Sequence, residues 1–445
     1  MVRYHARWVC PVSVAPIPDG TVVEEQGRIV YRGPRATAPE GGEDVDLGEA
    51  LLMPGLVNTH CHLELTAMRG FLDGLAFREW ILRLTFARRA VMSPRMLLDA
   101  ARLGVEEGLR SGITTFADTG DTGAGFDAML ERGVRGICYR EVFGPDPAQC
   151  AEAIAGLEAR VTEMLTRATA LVRVGVSPHA PYTVSDALFR ATGAFARTMR
   201  LPIAVHIAES DLESALVTEG RGAFATALSA RGIETPARAR TPIALLDDLG
   251  ILELHPLLIH CVRVDAEDIA AIQAHDAAVA HCPASNAKLG HGIAPLAALL
   301  RASVRVGLGT DSVASNDRMD LLDEARLAAL VANARELHHG AVTSASALRL
   351  ATLGGATALG LENEIGTLDV GKAADLTAFP LPAHRAPVHD PIAAAIFGLA
   401  GTQASLTVVA GRVLVRNGML VDEDHGLPRR VQESADRLQE WLAAP

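Results

Sequence analysis

The sequence predicts an α/β protein: a (β/α)8 TIM barrel with a small β-sandwich formed by the N- and C-terminal segments. Three observations predict it. From Leu56 to about Gly340, eight short apolar runs alternate with longer amphipathic stretches. Most of those runs carry a histidine or an aspartate at or near their C-terminal end. The two ends of the chain read differently, as β-like pieces separated by Gly and Pro turns.

The eight runs are LVNTH (56–60), ITTFAD (113–118), VRGICYREVF (134–143), LVRVGVS (171–177), PIAVHIA (202–208), PLLIHC (256–261), AAVAHC (277–282) and VRVGLGTD (304–311). Each is almost continuously apolar, as strands covered on both faces of a parallel sheet are. Between them, stretches such as SPRMLLDAARLGVEEGLRSG and SDALFRATGAFARTM carry helical periodicity. Repeated strand–helix units close into a barrel, whose strand C-termini form one mouth where active sites sit. The expected barrel spans 55–361. Residues 1–54 and 362–421 are expected to pair into one composite sandwich, and 422–445 to form a C-terminal amphipathic helix.

The chain has 445 residues, 49% of them hydrophobic, which suffices for a large barrel and a smaller companion. Its formal net charge of -12 repels nucleic acid and anionic lipid, so neither is an expected partner. No apolar run reaches membrane-spanning length, and the start MVRYHARWVCPVSVAP has no signal-peptide core. The expected localisation is cytoplasmic. Six scattered cysteines without a CxxC pair read as reduced, buried thiols.

His60 and His62 stand one residue apart in MPGLVNTHCHLEL. On an extended strand, residues i and i+2 share a face about 6.5–7 Å apart, so two imidazoles can converge on one ion. A catalytic zinc site needs a third protein ligand and an open position for water. His206 in AVHIAES and Asp311 in LGTDS each end an expected strand and supply the further ligands. The competing reading is a set of unrelated core histidines.

PGLVNTHCH, VHIAES, LIHCVRVD, HCPASNAKL and GLGTDSVASN together resemble the amidohydrolase superfamily. More narrowly they are similar to its aminohydrolase branch of nucleoside, guanine and aminofutalosine deaminases, with the triazine chlorohydrolases nearby. The resemblance covers nearly the whole chain, because IGTLDVGKAADLTAF is similar to the family's closing sandwich. Binuclear members bridge two metals with a carboxylated lysine on the fourth strand. This chain holds only Lys288 and Lys372, and none between His62 and His206. A mononuclear site of His60, His62, His206 and Asp311 is therefore implied. Zinc is the expected metal; Fe2+ and Mn2+ suit the same donors.

In this branch a metal lowers the pKa of bound water. The resemblance implies that Asp311 accepts that water's proton and that Glu209 shuttles a proton to the ring nitrogen. It implies that His260 polarises the attacking oxygen or stabilises the tetrahedral intermediate. SPHAPYTVS resembles the substrate-side segment of nucleoside deaminases, which makes His179 a substrate contact. LAFREWILRL resembles the helix whose Trp lines their pocket, which points to Trp80; a helix-packing aromatic is the alternative. RLTFARRA, with Arg88 and Arg89, departs from the methylthioadenosine/S-adenosylhomocysteine deaminases, which carry a ribose-binding Glu there. HCHLELT and VHIAES…GRGAF look closer to aminofutalosine deaminases. Arg140 is then a candidate for the substrate's carboxylate, with a salt-bridged arginine as the alternative. Glu64 either lines the site or serves as an ion-pair partner.

The expected activity is hydrolytic deamination of an adenine-type nucleoside, with 6-amino-6-deoxyfutalosine preferred. Adenosine, methylthioadenosine, S-adenosylhomocysteine and guanine remain open, as does triazine dechlorination. The expected partner is a small-molecule amino-heterocycle, and a homo-oligomer is left open. A non-enzymatic scaffold is the other class; loss of the ligands would mark one, and here all four are present.

Overall fold

The structure, a computed structural model, describes residues 1–443. The barrel wall is two parallel four-stranded sheets. The first holds strands Leu56–Cys61, Ile113–Gly120, Arg135–Val142 and Val172–Pro178; the second holds Ala204–Ile207, Leu257–His260, Ala278–His281 and Arg305–Leu308. Parallel bridges join the sheets at both seams, Val176 to Ile203 and Cys61 to Asp311. Across them the Val176 N–H donates to the Pro202 carbonyl at 3.0 Å, and the Asp311 N–H to the His60 carbonyl at 2.9 Å. The eight strands thus close into a ring.

The interior is packed, not open. Val57, Ala117, Ile137, Tyr139, Ala204, Ile259 and Ala280 form one buried cluster inside the ring. Small residues let the strands and the helix at the barrel floor approach. A Cβ on Gly307 would lie 2.3 Å from Thr59 Cγ2 and 2.8 Å from the Gly355 Cα. Gly307→Ala is therefore expected to destabilise the chain by about 1–3 kcal/mol through overpacking. Urea unfolding measures this; an unchanged midpoint would mean the floor gives way freely.

Helix starts follow local chemistry. Ser93, Ser185 and Ser210 cap the helices Pro94–Arg110, Asp186–Met199 and Asp211–Glu219, each accepting an N–H from the first turn. Asp265 and Asp268 form a reciprocal capping box before Ala266–Ala274.

The two chain ends build one nine-stranded sheet. They meet where Ala50–Pro54 pairs antiparallel with Leu376–Pro380, Leu376 opposite Pro54. The sheet folds over its own core of Tyr4, Val22, Ile29, Leu52, Leu376, Leu406 and Val408. Its far edge returns, with the Ile29 N–H donating to the Lys372 carbonyl and the Gly371 N–H to the Ile29 carbonyl. The sandwich is thus one continuous sheet, because strand pairing carries on across the junction of the termini. Beneath the barrel, Arg135 binds Asp375 through Nε at 2.8 Å and Nη2 at 3.1 Å, tying this sheet to the third barrel strand.

The C-terminal helix runs Leu427–Ala443 and buries Leu427, Val431, Ser434 and Leu438 along one face. It starts later than 422 because the preceding residues form a turn, in which Asp424 Oδ1 accepts the Gly426 N–H. Residues 444 and 445 of the expected helix lie outside the described residues. Among the described residues, no helix is long and apolar enough to cross a membrane.

Candidate active site

The C-terminal ends of the strands bring His60, His62, His206, His260 and Asp311 together at the mouth. The first strand ends at Cys61, and its pairing with the second shifts register between Asn58 and Cys61. His62 then leaves the extended path at φ -125° and ψ 85°. The two rings end 4.8 Å apart at 85° to one another, so they converge instead of lying side by side. His60 Nε2 lies 3.2 Å and His62 Nε2 3.5 Å from Asp311 Oδ1. The His206 ring centre lies 4.9 Å from that of His60.

The far nitrogens are occupied. His62 Nδ1 faces the Thr119 carbonyl at 2.9 Å, and His206 Nδ1 faces the His179 carbonyl at 3.2 Å. These contacts fix the rings so that Nε2 points inward, the usual outer support of a metal-ligating imidazole. Burial lowers the pKa of His60; burial and then His60 bring His62 down to about 3; burial and then His179 hold His206 well below its ordinary value. All three are held neutral, the form that binds metal. Burial would raise the Asp311 carboxyl, but the hydrogen bond with His60 holds it well below the usual carboxylate range. Its Oδ2 accepts the Ser285 and Ser315 hydroxyls, which leaves Oδ1 toward the histidines. Three neutral imidazoles and one carboxylate fit a single divalent ion such as Zn2+, Fe2+ or Mn2+.

The backbone here is unusual. Ala208, His260, Cys261 and Asp311 all have left-handed φ, at 52°, 78°, 47° and 56°. Non-glycine residues persist in that region only where the surroundings hold them, and such positions gather at functional sites.

Glu209 sits beside this group, buried, with Oε1 3.6 Å from His260 Nε2. His260 is aimed by Asn286, whose Oδ1 lies 3.0 Å from its Nδ1. His179 is also drawn in, its ring 4.7 Å from His206 and its Nδ1 2.8 Å from Thr183 Oγ1. Trp80 is buried on helix Phe77–Val91, 6.4 Å from the Phe77 ring, and lines a small cavity with Leu75, Leu289 and Ala314. Arg140 is buried on the third barrel strand and forms no ion pair or side-chain hydrogen bond among the described residues. Burial, then Arg160, lowers its pKa. Glu64 lies in an ion-pair network, in which Arg88 bridges it to Asp121. Lys288 stays outside the cluster, paired with Asp317 and Asp73.

Several mouth residues escaped the sequence reading. Glu141 continues the inward face of Ile137 and Tyr139, and its Oε1 is buried without a partner. Its oxygen lies within 4.8 Å of ring nitrogens of His179 and His206. The alternation of its strand was a usable signal. His291 reaches Glu209 from a loop, flanked by Gly290 and Gly292. The motif GHG marked a sharp turn but gave no direction.

Taken together, the barrel and the cluster at its mouth define a metal-dependent hydrolase. The amidohydrolase family model matches residues 51–414, and the chain belongs to that family. It is a hydrolase of carbon–nitrogen bonds other than peptide bonds. It is 32% identical over 417 residues to a 5-methylthioadenosine/S-adenosylhomocysteine deaminase of Moorella thermoacetica, covering 92% of this chain and 93% of the relative. A zinc-bound adenosine deaminase of Xanthomonas campestris superposes with a TM-score of 0.89 at 30% identity, over 99% of this chain and 98% of that one. A zinc-complexed atrazine chlorohydrolase of Arthrobacter aurescens gives 0.84 at 26%, over 98% and 100%. An aminofutalosine deaminase of Helicobacter pylori gives 0.79 at 20%, over 93% and 100%, a likeness of fold alone.

Proposed function

We propose that this chain deaminates an adenine-type nucleoside hydrolytically, releasing ammonia. The observation that carries this reading is the Glu209–His260 pair standing beside the four donors His60, His62, His206 and Asp311 in one mouth. Those four donors would hold one divalent ion, and the zinc in two structural neighbours supports zinc. When bound, such an ion supplies Lewis acidity that brings the deprotonation of water toward neutral pH.

The chain's own residues do the rest. The Asp311 carboxylate takes a proton from the attacking water. Glu209 turns Oε1 toward His260, so its Oε2 is free to deliver a proton to the ring nitrogen next to the reacting carbon. His260, held by Asn286, donates from Nε2 to charge that develops at that carbon's oxygen. Two protons leave water: one goes to the ring nitrogen and one to the departing amine.

The relatives support methylthioadenosine, S-adenosylhomocysteine or adenosine as the substrate. They move the preference away from 6-amino-6-deoxyfutalosine, since the neighbour of that activity shares the fold alone. His179 and Trp80 are proposed to contact the nucleoside. Arg140, a buried cation without an ion pair, is proposed to meet an acidic substituent on it.

The test is ammonia release by zinc-loaded protein from adenosine, methylthioadenosine, S-adenosylhomocysteine, 6-amino-6-deoxyfutalosine, guanine and a chlorotriazine. Turnover is expected on the adenine nucleosides. Chloride release without ammonia, or silence across the panel, would overturn the proposal.

A further inference from the structure

Two histidines approach Glu209. His260 approaches Oε1 from the sixth barrel strand at 3.6 Å, and His291 approaches the same atom from a loop, with Nε2 at 3.1 Å. His291 is almost fully buried, and that nitrogen makes no aligned hydrogen bond among the described residues.

The loop is built to deliver this ring. Gly290 and Gly292 adopt left-handed φ of 72° and 103°, which permits the tight reversal on either side of His291. The His291 N–H donates to the Asn286 carbonyl at 2.9 Å, while the Asn286 side chain holds His260. One residue therefore sets the position of both histidines. On its other side the His291 ring meets Phe77 edge-on at 4.5 Å, and Phe77 belongs to the helix that carries Trp80.

We propose that His291 is a positioning residue for Glu209: it holds Oε1 and thereby aims Oε2 at the substrate's ring nitrogen. This deepens the deaminase reading and rests on it. A carboxylate with both oxygens free to rotate would present the wrong geometry for proton transfer much of the time, and misplacement by about 1 Å costs roughly 10²-fold. Two histidines on a single oxygen remove that freedom. Glu209 faces His260, His291 and Asp311, with His60, His179 and Tyr182 nearby, and its N–H donates to the Glu213 carboxylate at 2.8 Å; burial would raise the Glu209 carboxyl, and His260 and His291 draw it below its ordinary value.

The test compares wild type with His291→Ala, His291→Gln and His291→Phe, all zinc-loaded, on the best nucleoside of the panel. His291→Ala is expected to lose about 10- to 100-fold in kcat with little change in KM. The acid limb of kcat/KM should move to higher pH, because Glu209 loses a group that favours its charged form. Added imidazole should restore part of the rate, and Gln, still a donor, should lose less than Phe, which keeps only the packing on Phe77. A rise in KM at constant kcat, with the acid limb unmoved and no imidazole rescue, would make His291 a packing residue and overturn the proposal. A readout free of turnover separates this from the deaminase reading. In ring-15N spectra of the zinc-loaded protein, Glu209→Gln should shift the His291 signals. An inactive wild type would overturn the deaminase reading; unshifted His291 signals would overturn the His291–Glu209 contact.

Discussion

Glu209→Gln is expected to lower kcat by about 10²–10⁴-fold, the usual worth of a positioned general acid–base group. Metal content and unfolding midpoint should stay as in wild type. The side chain is buried and makes its polar contacts at Oε1 to His260 and His291, which an amide oxygen can still satisfy. What the amide cannot do is take up a proton from one place and release it at another. The loss should therefore fall on kcat, and it should appear equally with every nucleoside the wild type accepts. Steady-state kinetics with metal analysis checks this. Near-normal turnover would remove Glu209 from the reaction and turn attention to Asp311 and Glu141, the other buried carboxylates at the mouth.

The second large effect is expected far from the mouth. Asp375→Ala should cost about 3–5 kcal/mol of stability, because it strands Arg135 as a buried charge. Asp375 receives Arg135 Nε at 2.8 Å and Nη2 at 3.1 Å, and its Oδ1 also accepts the Ala410 N–H at 2.8 Å. Both side chains are buried. Glu364, the other carboxylate at Arg135, is half exposed and 3.2 Å away, so it compensates only weakly. The pair joins the terminal sheet to the barrel floor, so its loss should also loosen the sheet. Chemical denaturation of the variant checks the magnitude. The double change Arg135→Met with Asp375→Leu should recover much of it, since two apolar side chains leave no stranded charge. A single variant within about 0.5 kcal/mol of wild type would mean that water reaches this pair freely.

The barrel was legible because its signal is local. Runs such as PIAVHIA and AAVAHC are buried along the whole of their strands, and a strand covered on both faces admits little but apolar residues. The proposed donors stood out for a related reason. A strand end at a barrel mouth has few residues, so His206 and Asp311 at such ends stood out in sequence. The resemblance made the absence of lysine between His62 and His206 informative, and the structure keeps Lys288 in ion pairs outside the cluster.

Other features depended on groups far apart in sequence. The register shift that turns His60 and His62 toward each other comes from pairing with the second strand, which no periodicity in MPGLVNTHCHLEL announces. The network of Glu64, Arg88 and Asp121 needed three segments to meet. In sequence, Arg88 was only a departure from a relative's pattern.

The sequence by itself therefore determined most of the candidate residues and the end of the barrel on which they stand, because strand burial and strand-end position are written in neighbouring residues. Only the tertiary structure decided how they are aimed. Glu141 faces the mouth with its Oε1 unpartnered among the described residues, and His291 reaches Glu209 across 82 positions of chain. Such contacts are set by strand pairing and loop packing summed over the whole ring, and no short stretch of residues contains that sum.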